Sequence, residues 1–379
     1  MKGDVHMLHS AKGQFIAVLI LLVILAGTGL WYAARSKERD LPADYGSSAT
    51  ARPGTETALA AGSPAPAKKT LNELVEKYSG LGLTDVHNHD ASGPYESMTG
   101  VWQQLGVKRV VLFGDVSEPS AIQTDAVAWE AYQTHPEQII PFFSGFDLHS
   151  PSSLDTVRAN LEKGFMGLGE IAAASTHSPV VSRVLWKADH PMDGYLPQIY
   201  ALCAEYKAPI LLHIDPPSGW PVEKLEEAML AYPETAFIFG HINAYNSPQA
   251  IEALMEKHPN LYADFFAGFT VFNPESSNKL EDFLPLIRRF PDRVLLSTDS
   301  GYGLSNGEIA AIEAMYRVLE LVEDPALVKK LAHDNFDTLI SRAPATRTQL
   351  EELNSKGIGP AAGKTLTKLE AGKLLADNK

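Results

Sequence analysis

The sequence has 379 residues, of which 45% are hydrophobic, and this is enough for one large globular domain with additional segments. Its formal net charge of −14 disfavours non-specific binding to nucleic acid and attraction to an anionic membrane surface. A single cysteine, Cys203, excludes an internal disulfide, and its helical-looking surroundings predict a buried helix residue rather than a catalytic thiol.

The N-terminal region contains an apolar run without charge at residues 15–34. About 20 apolar residues let a helix cross the hydrocarbon core of a bilayer, so we predict a transmembrane helix after a short segment, residues 1–14. A cleaved signal peptide is the alternative, because Lys2 and Lys12 precede the run and Tyr32-Ala-Ala34 is a possible cleavage site. Residues 35–68 are rich in Ala, Pro, Gly, Ser and Thr, which predicts a flexible tether.

From residue 81 onward, short β-rich apolar runs alternate with amphipathic helical patterns. The predicted strands span residues 83–87, 109–113, 139–146, 167–171, 209–213, 236–241, 261–265 and 294–298. Strands that alternate with helices pair in parallel through right-handed crossovers, so we predict an α/β fold, the (β/α)₈ TIM barrel, over residues 81–343. Residues 344–379 are rich in Lys and Glu and predict a charged, solvated C-terminal tail.

Histidines and an aspartate stand at the carboxyl ends of four predicted strands, where this barrel carries its chemistry. His87 and His89 end the first strand, His213 the fifth and His241 the sixth, while Asp299 follows the eighth. Alternate residues of a strand face the same way, so His87 and His89 point into one space. Imidazoles and a carboxylate gathered from several strands predict a hydrolytic metal site for one or two divalent ions. Zinc is the expected ion, with Mn, Fe or Co as alternatives.

Glu170 ends the fourth predicted strand within Gly167-Leu-Gly-Glu-Ile. A carboxylate there can ligate one ion or bridge two, and an exposed loop glutamate is the alternative. Residues 172–194 form a long connection after this strand, which we expect to shape the substrate pocket. Other polar residues near strand ends are expected to contact substrate, to support a ligand or to face solvent: Asp115, His149, His177 and Asp264.

These motifs resemble the amidohydrolase superfamily of metal-dependent hydrolases, and within it the amidohydrolase-related group. The likeness runs through Thr84-Asp-Val-His-Asn-His89, Pro209-Ile-Leu-Leu-His213, Gly240-His241-Ile and Arg293-Val-Leu-Leu-Ser-Thr-Asp299, and ends at Asn335-Phe-Asp-Thr-Leu-Ile340. The resemblance implies that the histidines and aspartate of these motifs are ligands or catalysts. Two departures leave the subfamily open: Glu170 stands where many members have a carbamylated lysine, and Ser-Thr-Asp-Ser-Gly replaces their Gly-Ser-Asp.

The resemblance and the motifs together predict a metal-dependent hydrolase that directs an activated water at a small-molecule ester, lactone or amide. Asp299 is the expected metal ligand and general base, and His241 is expected to ligate a second ion or to hydrogen-bond the substrate oxygen. The first alternative is a metal-dependent decarboxylase or hydratase, with Arg183 and Lys187 as cationic clamps. The second is an inactive membrane-tethered binding barrel.

The arrangement of anchor and tether also predicts where the barrel lies. A lipid bilayer is the expected partner of residues 15–34, and the barrel is expected on the periplasmic side of a bacterial inner membrane. Nucleic acid is not an expected partner, and the sequence leaves the oligomeric state open.

Overall fold

The computed structural model describes residues 69–93, 95–361 and 363–378. The predicted transmembrane helix at residues 15–34 lies outside this part of the chain, as do residues 1–14 and the whole of the predicted tether at 35–68. Among the described helices, none has the length and apolar character needed to cross a membrane.

Eight parallel strands follow one another around the sheet in chain order, so each strand pairs with the next. They are β1 Leu83–Asn88, β2 Val107–Leu112, β3 Ile139–Phe143, β4 Gly167–Ala174, β5 Ile210–Ile214, β6 Phe237–Phe239, β7 Leu261–Phe266 and β8 Val294–Ser297. β8 returns to β1, where Thr298 donates hydrogen bonds from its backbone N–H and its hydroxyl to the Asp85 carboxylate. The predicted (β/α)₈ barrel is confirmed, and every predicted strand overlaps an observed one.

Helices alternate with the strands and cover the outside of the barrel. They are α1 Leu71–Tyr78, α2 Glu96–Gln104, α3 Ala121–Thr134, α4 Ser153–Lys163, α5 Leu196–Tyr206, α6 Trp220–Ala231, α7 Ile242–Tyr245, α8 Pro248–Lys257, α9 Ala267–Phe272, α10 Leu280–Arg289, α11 Gly307–Val322, α12 Pro325–Lys329, α13 Asn335–Ile340, α14 Arg347–Ser355 and α15 Lys368–Asp377. Single 3₁₀ turns occur at Ser79–Leu81, Asp90–Ser92, Val181–Arg183 and Asp299–Gly301, and a π-helical turn at Lys330–Asp334.

The strands are apolar because both of their faces are covered, the inner one by the barrel core and the outer one by helices. Every residue of β1, β4, β5 and β7 is buried. Against this background the few polar strand residues are conspicuous, since a buried polar group needs a partner. His87 in β1, Glu170 in β4, His213 in β5 and Asp264 in β7 are the ones that concern the site.

The C-terminal residues correct one expectation, because residues 344–379 were predicted to be a solvated tail. Instead, α14 and α15 pack against each other through a small apolar cluster made of Leu353, Leu366, Ala371 and Leu375. Lys368 is fully buried, and its Nζ donates a hydrogen bond to the Phe165 carbonyl at 3.1 Å. Apart from Lys368, the charged residues of these two short amphipathic helices are at least partly exposed, so the sequence shows many charges and only a weak apolar periodicity.

Candidate metal centre

The six residues predicted to bind or activate a metal all lie together at the carboxyl end of the barrel. They form two groups of three, and within each group one potential ligand atom per residue lies within 4.8 Å of the others. The first group is His87, His89 and Asp299, and the second is Glu170, His213 and His241.

The first group is built from the ends of β1 and β8. His87 and His89 point the same way, as strand alternation predicts, and their Nε2 atoms are 3.0 Å apart. Asp299 Oδ1 lies 3.4 Å from Nε2 of His87 and 3.5 Å from Nε2 of His89. Asp299 has a left-handed backbone conformation with φ of 44°, which a non-glycine residue adopts only when its surroundings impose it.

The second group comes from the middle of β4, which continues past the predicted end at residue 171, from β5, and from the turn after β6. Glu170 Oε1 lies 3.0 Å from His213 Nδ1 and 3.1 Å from His241 Nε2, and these two nitrogens are 3.0 Å apart. The other oxygen of Glu170, Oε2, lies 3.6 Å from His89 Nε2 of the first group. The Glu170 carboxylate therefore stands between the two groups, and the alternative of an exposed loop glutamate was wrong, since Glu170 is only 2% exposed.

The outer nitrogens of the β1 histidines are held by fixed acceptors. His87 Nδ1 hydrogen-bonds Asp264 Oδ2 at 2.7 Å, and His89 Nδ1 hydrogen-bonds the Gly114 carbonyl at 2.7 Å. An imidazole that donates from one nitrogen presents the lone pair of the other, so both rings offer Nε2 to the site. Asp264 Oδ2 also accepts a hydrogen bond from the backbone N–H of His241 at 2.9 Å, while Asp264 Oδ1 is buried with no partner among the described residues.

His213 is oriented by a carboxylate that the sequence interpretation missed. Asp215 Oδ2 lies 3.3 Å from His213 Nε2, which leaves Nδ1 to face Glu170 and His241. The loop after β4 fixes Asp215 in turn, through hydrogen bonds donated by the Ser175 hydroxyl and the backbone N–H groups of Thr176, His177 and Ser178. The signal available in the sequence was the spacing of two residues from His213, which puts Asp215 on the same side of the chain.

The ends of β1 and β8 are joined by a buried polar network. Asp85 accepts hydrogen bonds from Thr298 and from Asn88 Nδ2, and this places His87 beside Asp299. Burial raises the pKa of Asp85 to about 6, against the hydrogen bonds that favour its charged form. Asn88 Nδ2 also donates to Glu308 at 2.8 Å, so the residue between the two β1 histidines is held from two sides.

The buried carboxylates of the site need nearby positive charge to stabilise their ionised forms. Burial opposes ionisation of Glu170, yet His213 and His87 hold the pKa of Glu170 well below its usual range. Burial likewise opposes protonation of His87, but Asp299, Asp264 and Glu170 raise the pKa of His87 to about 10. Among the described residues, no lysine or arginine pairs with these carboxylates. Clustered imidazoles and carboxylates that no lysine or arginine neutralises are a donor set that suits a divalent metal ion such as zinc.

The remaining residues named from the sequence lie outside the two groups. Asp115 accepts a hydrogen bond from the Ser92 hydroxyl, and His149 Nε2 faces the Lys187 carbonyl at 3.1 Å. His177 is exposed and lies 3.4 Å from Asp215. The two candidate clamps are Arg183, which is exposed, and Lys187, which is 3.6 Å from the Asp189 carboxylate.

The chain belongs to the amidohydrolase family, whose model matches residues 94–335, more than half of the sequence. The resemblance stated from the motifs is thereby confirmed. The matched region begins after β1, so His87 and His89 lie before it and are tied to the site by geometry instead. The family and the clustered histidine and carboxylate ligands together identify this protein as a metal-dependent, hydrolase-like enzyme. Decarboxylation is compatible with the same assignment. Among curated proteins, none matches the sequence.

Solved structures with similar folds share little sequence with this chain. An amidohydrolase from Burkholderia multivorans with bound zinc is 10% identical, with a TM-score of 0.49 and coverage of 68% of this chain and 99% of that one. An amidohydrolase from Mycobacterium avium subsp. paratuberculosis is 14% identical, with a TM-score of 0.41 and coverage of 66% and 75%. A 2,6-dihydroxybenzoate decarboxylase from Rhizobium is 13% identical, with a TM-score of 0.41 and coverage of 68% and 98%.

Proposed function

We propose that this protein is a metal-dependent hydrolase that acts on a small-molecule ester, lactone or amide. The observation that supports this most directly is the convergence of four imidazoles and two carboxylates from five strands or the turns that follow them. Such a set costs free energy to bury without a cation, and it recurs where a metal ion assists hydrolysis.

We assign each of the two groups of ligands to one metal ion. His87, His89 and Asp299 would hold one ion, and His213 and His241 a second, with Glu170 able to reach both. We propose zinc, because imidazole and carboxylate together suit it. A bound divalent ion supplies Lewis acidity, which can lower the pKa of a water molecule to about 7 and so provide a nucleophile at neutral pH.

Asp299 is the proposed proton-transfer group. Its side chain is 12% exposed and that of His89 is 19% exposed, whereas those of His87 and Glu170 are 0% and 3% exposed. The open edge of the site therefore lies beside Asp299, where substrate and water can reach its carboxylate. Asp299 would accept the proton of the attacking water and pass it to the leaving group. His241 would ligate the second ion or hydrogen-bond the substrate oxygen.

Decarboxylation is the weaker proposal for this site. A carboxylate substrate needs a cationic clamp, but of the two candidates Lys187 already pairs with Asp189, and Arg183 is an exposed residue of the loop after β4. An inactive binding barrel is disfavoured for a different reason. An inactive barrel is expected to have lost at least one metal ligand, whereas all six predicted positions of this chain carry a histidine or a carboxylate, and these side chains lie close together.

A substrate screen tests the proposal. The purified full-length protein, loaded with zinc or manganese, is assayed against esters, lactones and amides, with carboxylates tested in parallel for release of CO₂. We expect hydrolysis that a chelator abolishes and added metal restores. If no ester, lactone or amide is hydrolysed and a carboxylate releases CO₂ in a metal-dependent reaction, the hydrolase proposal is wrong and the decarboxylase takes its place.

We further propose that residues 15–34 anchor the enzyme in a bacterial inner membrane, with the barrel, residues 81–343, on the periplasmic side. Support comes from the uncharged apolar run and the Ala/Pro/Gly-rich stretch after it. Full-length protein is expected to resist carbonate extraction, and protease added to spheroplasts is expected to degrade the barrel. A mature N-terminus near Arg35 would show a cleaved signal, and a protease-protected barrel would reverse the orientation.

A further inference from the structure

A buried carboxyl group contacts the chain between His87 and His89. Glu308, in the first turn of α11, is 8% exposed, and its Oε1 accepts hydrogen bonds from Trp102 Nε1 at 2.6 Å and from Asn88 Nδ2 at 2.8 Å. Trp102 comes from α2 and is fully buried. One carboxyl oxygen therefore ties two helices to the residue that lies between the two β1 histidines.

Asn88 uses both ends of its side-chain amide to hold this part of the chain. Besides the hydrogen bond to Glu308, its Nδ2 donates to Asp85 Oδ2 at 3.0 Å, and its Oδ1 accepts the backbone N–H of Asp90 at 3.0 Å. Asn88 is fully buried, so water cannot take the place of a lost partner. A shift of Glu308 would therefore move Asn88 and, with it, the histidines on either side.

Glu308 and Asp90 are two neighbouring acidic residues that share no basic partner. The Asp90 carboxylate lies beside that of Glu308, and Asp90 Oδ2 is buried with no hydrogen-bond donor among the described residues. Two ionised carboxylates in such a place repel each other, whereas one proton between them makes a hydrogen bond. Burial, followed by the charges of Asp90 and Asp85, raises the pKa of Glu308 to about 10. A proton on Glu308 thus removes the repulsion and supplies the donor that Asp90 Oδ2 lacks.

We propose that Glu308 is a neutral carboxylic acid that positions the first metal group through Asn88. Its Oε1 accepts hydrogen bonds from Asn88 and Trp102, and its Oε2–H donates a hydrogen bond to Asp90. Glu308 is a positioning residue, because among the described residues it makes no hydrogen bond to any of the six proposed ligands. This inference rests on the proposed metal ligands, and it holds whether the reaction is hydrolysis or decarboxylation.

Two substitutions of Glu308 test this role through the zinc Kd of the full-length protein, measured by competition with a chromogenic chelator. Glu308→Gln has the shape of the neutral acid, with an oxygen as acceptor and an N–H as donor, so the zinc Kd should stay within about threefold of the wild-type value. Glu308→Asp keeps the ionisable group but is one methylene shorter, so one oxygen no longer reaches both Asn88 and Trp102. We expect its zinc Kd to rise about tenfold, the lower end of the usual effect of losing a residue that orients a ligand.

Measurements on the metal-free full-length protein separate this role from a general loss of stability. The infrared C=O band of a protonated carboxylic acid at about pH 8 is expected to be stronger in the wild type than in Glu308→Gln. The NMR resonance of the Trp102 indole N–H, assigned with Trp102→Phe, should keep its position in Glu308→Gln and shift in Glu308→Asp. Glu313→Asp is the matched control, because Glu313 lies on the same helix but pairs with Arg317, and it should leave the zinc Kd and the Trp102 resonance unchanged.

The possible results lead to different conclusions. A zinc Kd raised tenfold or more in Glu308→Gln, or an infrared band of equal strength in this variant and the wild type, would overturn the neutral acid. A zinc Kd in Glu308→Asp equal to that of Glu313→Asp would overturn the positioning role. If Glu308→Asp does not fold, the zinc Kd and the infrared spectrum of Glu308→Gln still decide. A wild-type protein that binds no zinc would instead overturn the proposed metal centre, and with it the proposed function.

Discussion

Asp264→Asn is expected to weaken metal binding although Asp264 is not a proposed ligand. Its Oδ2 accepts the His87 Nδ1–H at 2.7 Å, and both side chains are 0% exposed, so water cannot take over this hydrogen bond. Asparagine keeps the shape and one oxygen acceptor but removes the negative charge that makes the His87 ring a better donor to a metal. Loss of such a partner typically reduces metal affinity 10- to 100-fold, or about 1.4–2.7 kcal/mol.

Competition with a chromogenic chelator measures this zinc affinity directly. Asp125→Asn is the matched control, because Asp125 is also a buried aspartate that accepts backbone hydrogen bonds, from Ser144 and Gly145, but it contacts no proposed ligand. Asp125→Asn is expected to lower the stability of the fold and to leave the zinc Kd within about threefold of the wild-type value. A folded Asp264→Asn protein whose zinc Kd equals that of the wild type would refute the assignment of Asp264 as the residue that orients His87.

Three further outcomes follow from the same geometry. Asp299→Asn should retain most of the metal but lower kcat by about 10²–10⁴-fold, the usual effect of removing a positioned acid or base. The control is Asp292→Asn, which changes an exposed aspartate and should retain full activity. Equal activity in the two variants would exclude Asp299 as the base. Glu170→Gln should reduce metal content from two equivalents to one if Glu170 bridges two ions, and an unchanged content near two would remove the bridge. Burial lowers the pKa of Lys368 from 10.5 to about 8, so the unfolded chain binds more protons between these pH values and this lysine's contribution to stability rises with pH. The free energy of unfolding of wild type minus that of Lys368→Met should therefore increase by up to about 3 kcal/mol from pH 8 to pH 10.5, and a pH-independent difference would contradict the buried lysine.

The strands and the main site residues were predictable because their signals are local. Apolar runs that alternate with helices defined the barrel, and the period of two along β1 put His87 and His89 on one side. Strand ends were less certain. The sixth strand was expected to extend to His241 but ends at Phe239, and His241 takes a left-handed conformation with φ of 35° before α7 begins. A backbone conformation imposed by surrounding packing leaves no pattern in the sequence.

The partners of the imidazoles were not predictable, because they depend on contacts between distant strands. Asp264 orients His87 from β7, a separation of 177 residues, and the sequence offered only its place near a strand end. Asp215 was overlooked, although it lies two residues beyond His213. Lys368 was assigned to a solvated tail because residues 344–379 are rich in Lys and Glu, and only the packed structure reveals its acceptor, the Phe165 carbonyl.

The metal content of the purified protein tests the central claim most directly. Elemental analysis of the wild type should find one or two equivalents of a transition metal, and the double variant His87→Ala/His89→Ala should contain none. His135→Ala, which removes an exposed histidine following α3, is the matched control and should retain the wild-type content. Unchanged metal in the double variant, or none in the wild type after growth with zinc, would contradict a metal centre at the carboxyl end of this barrel.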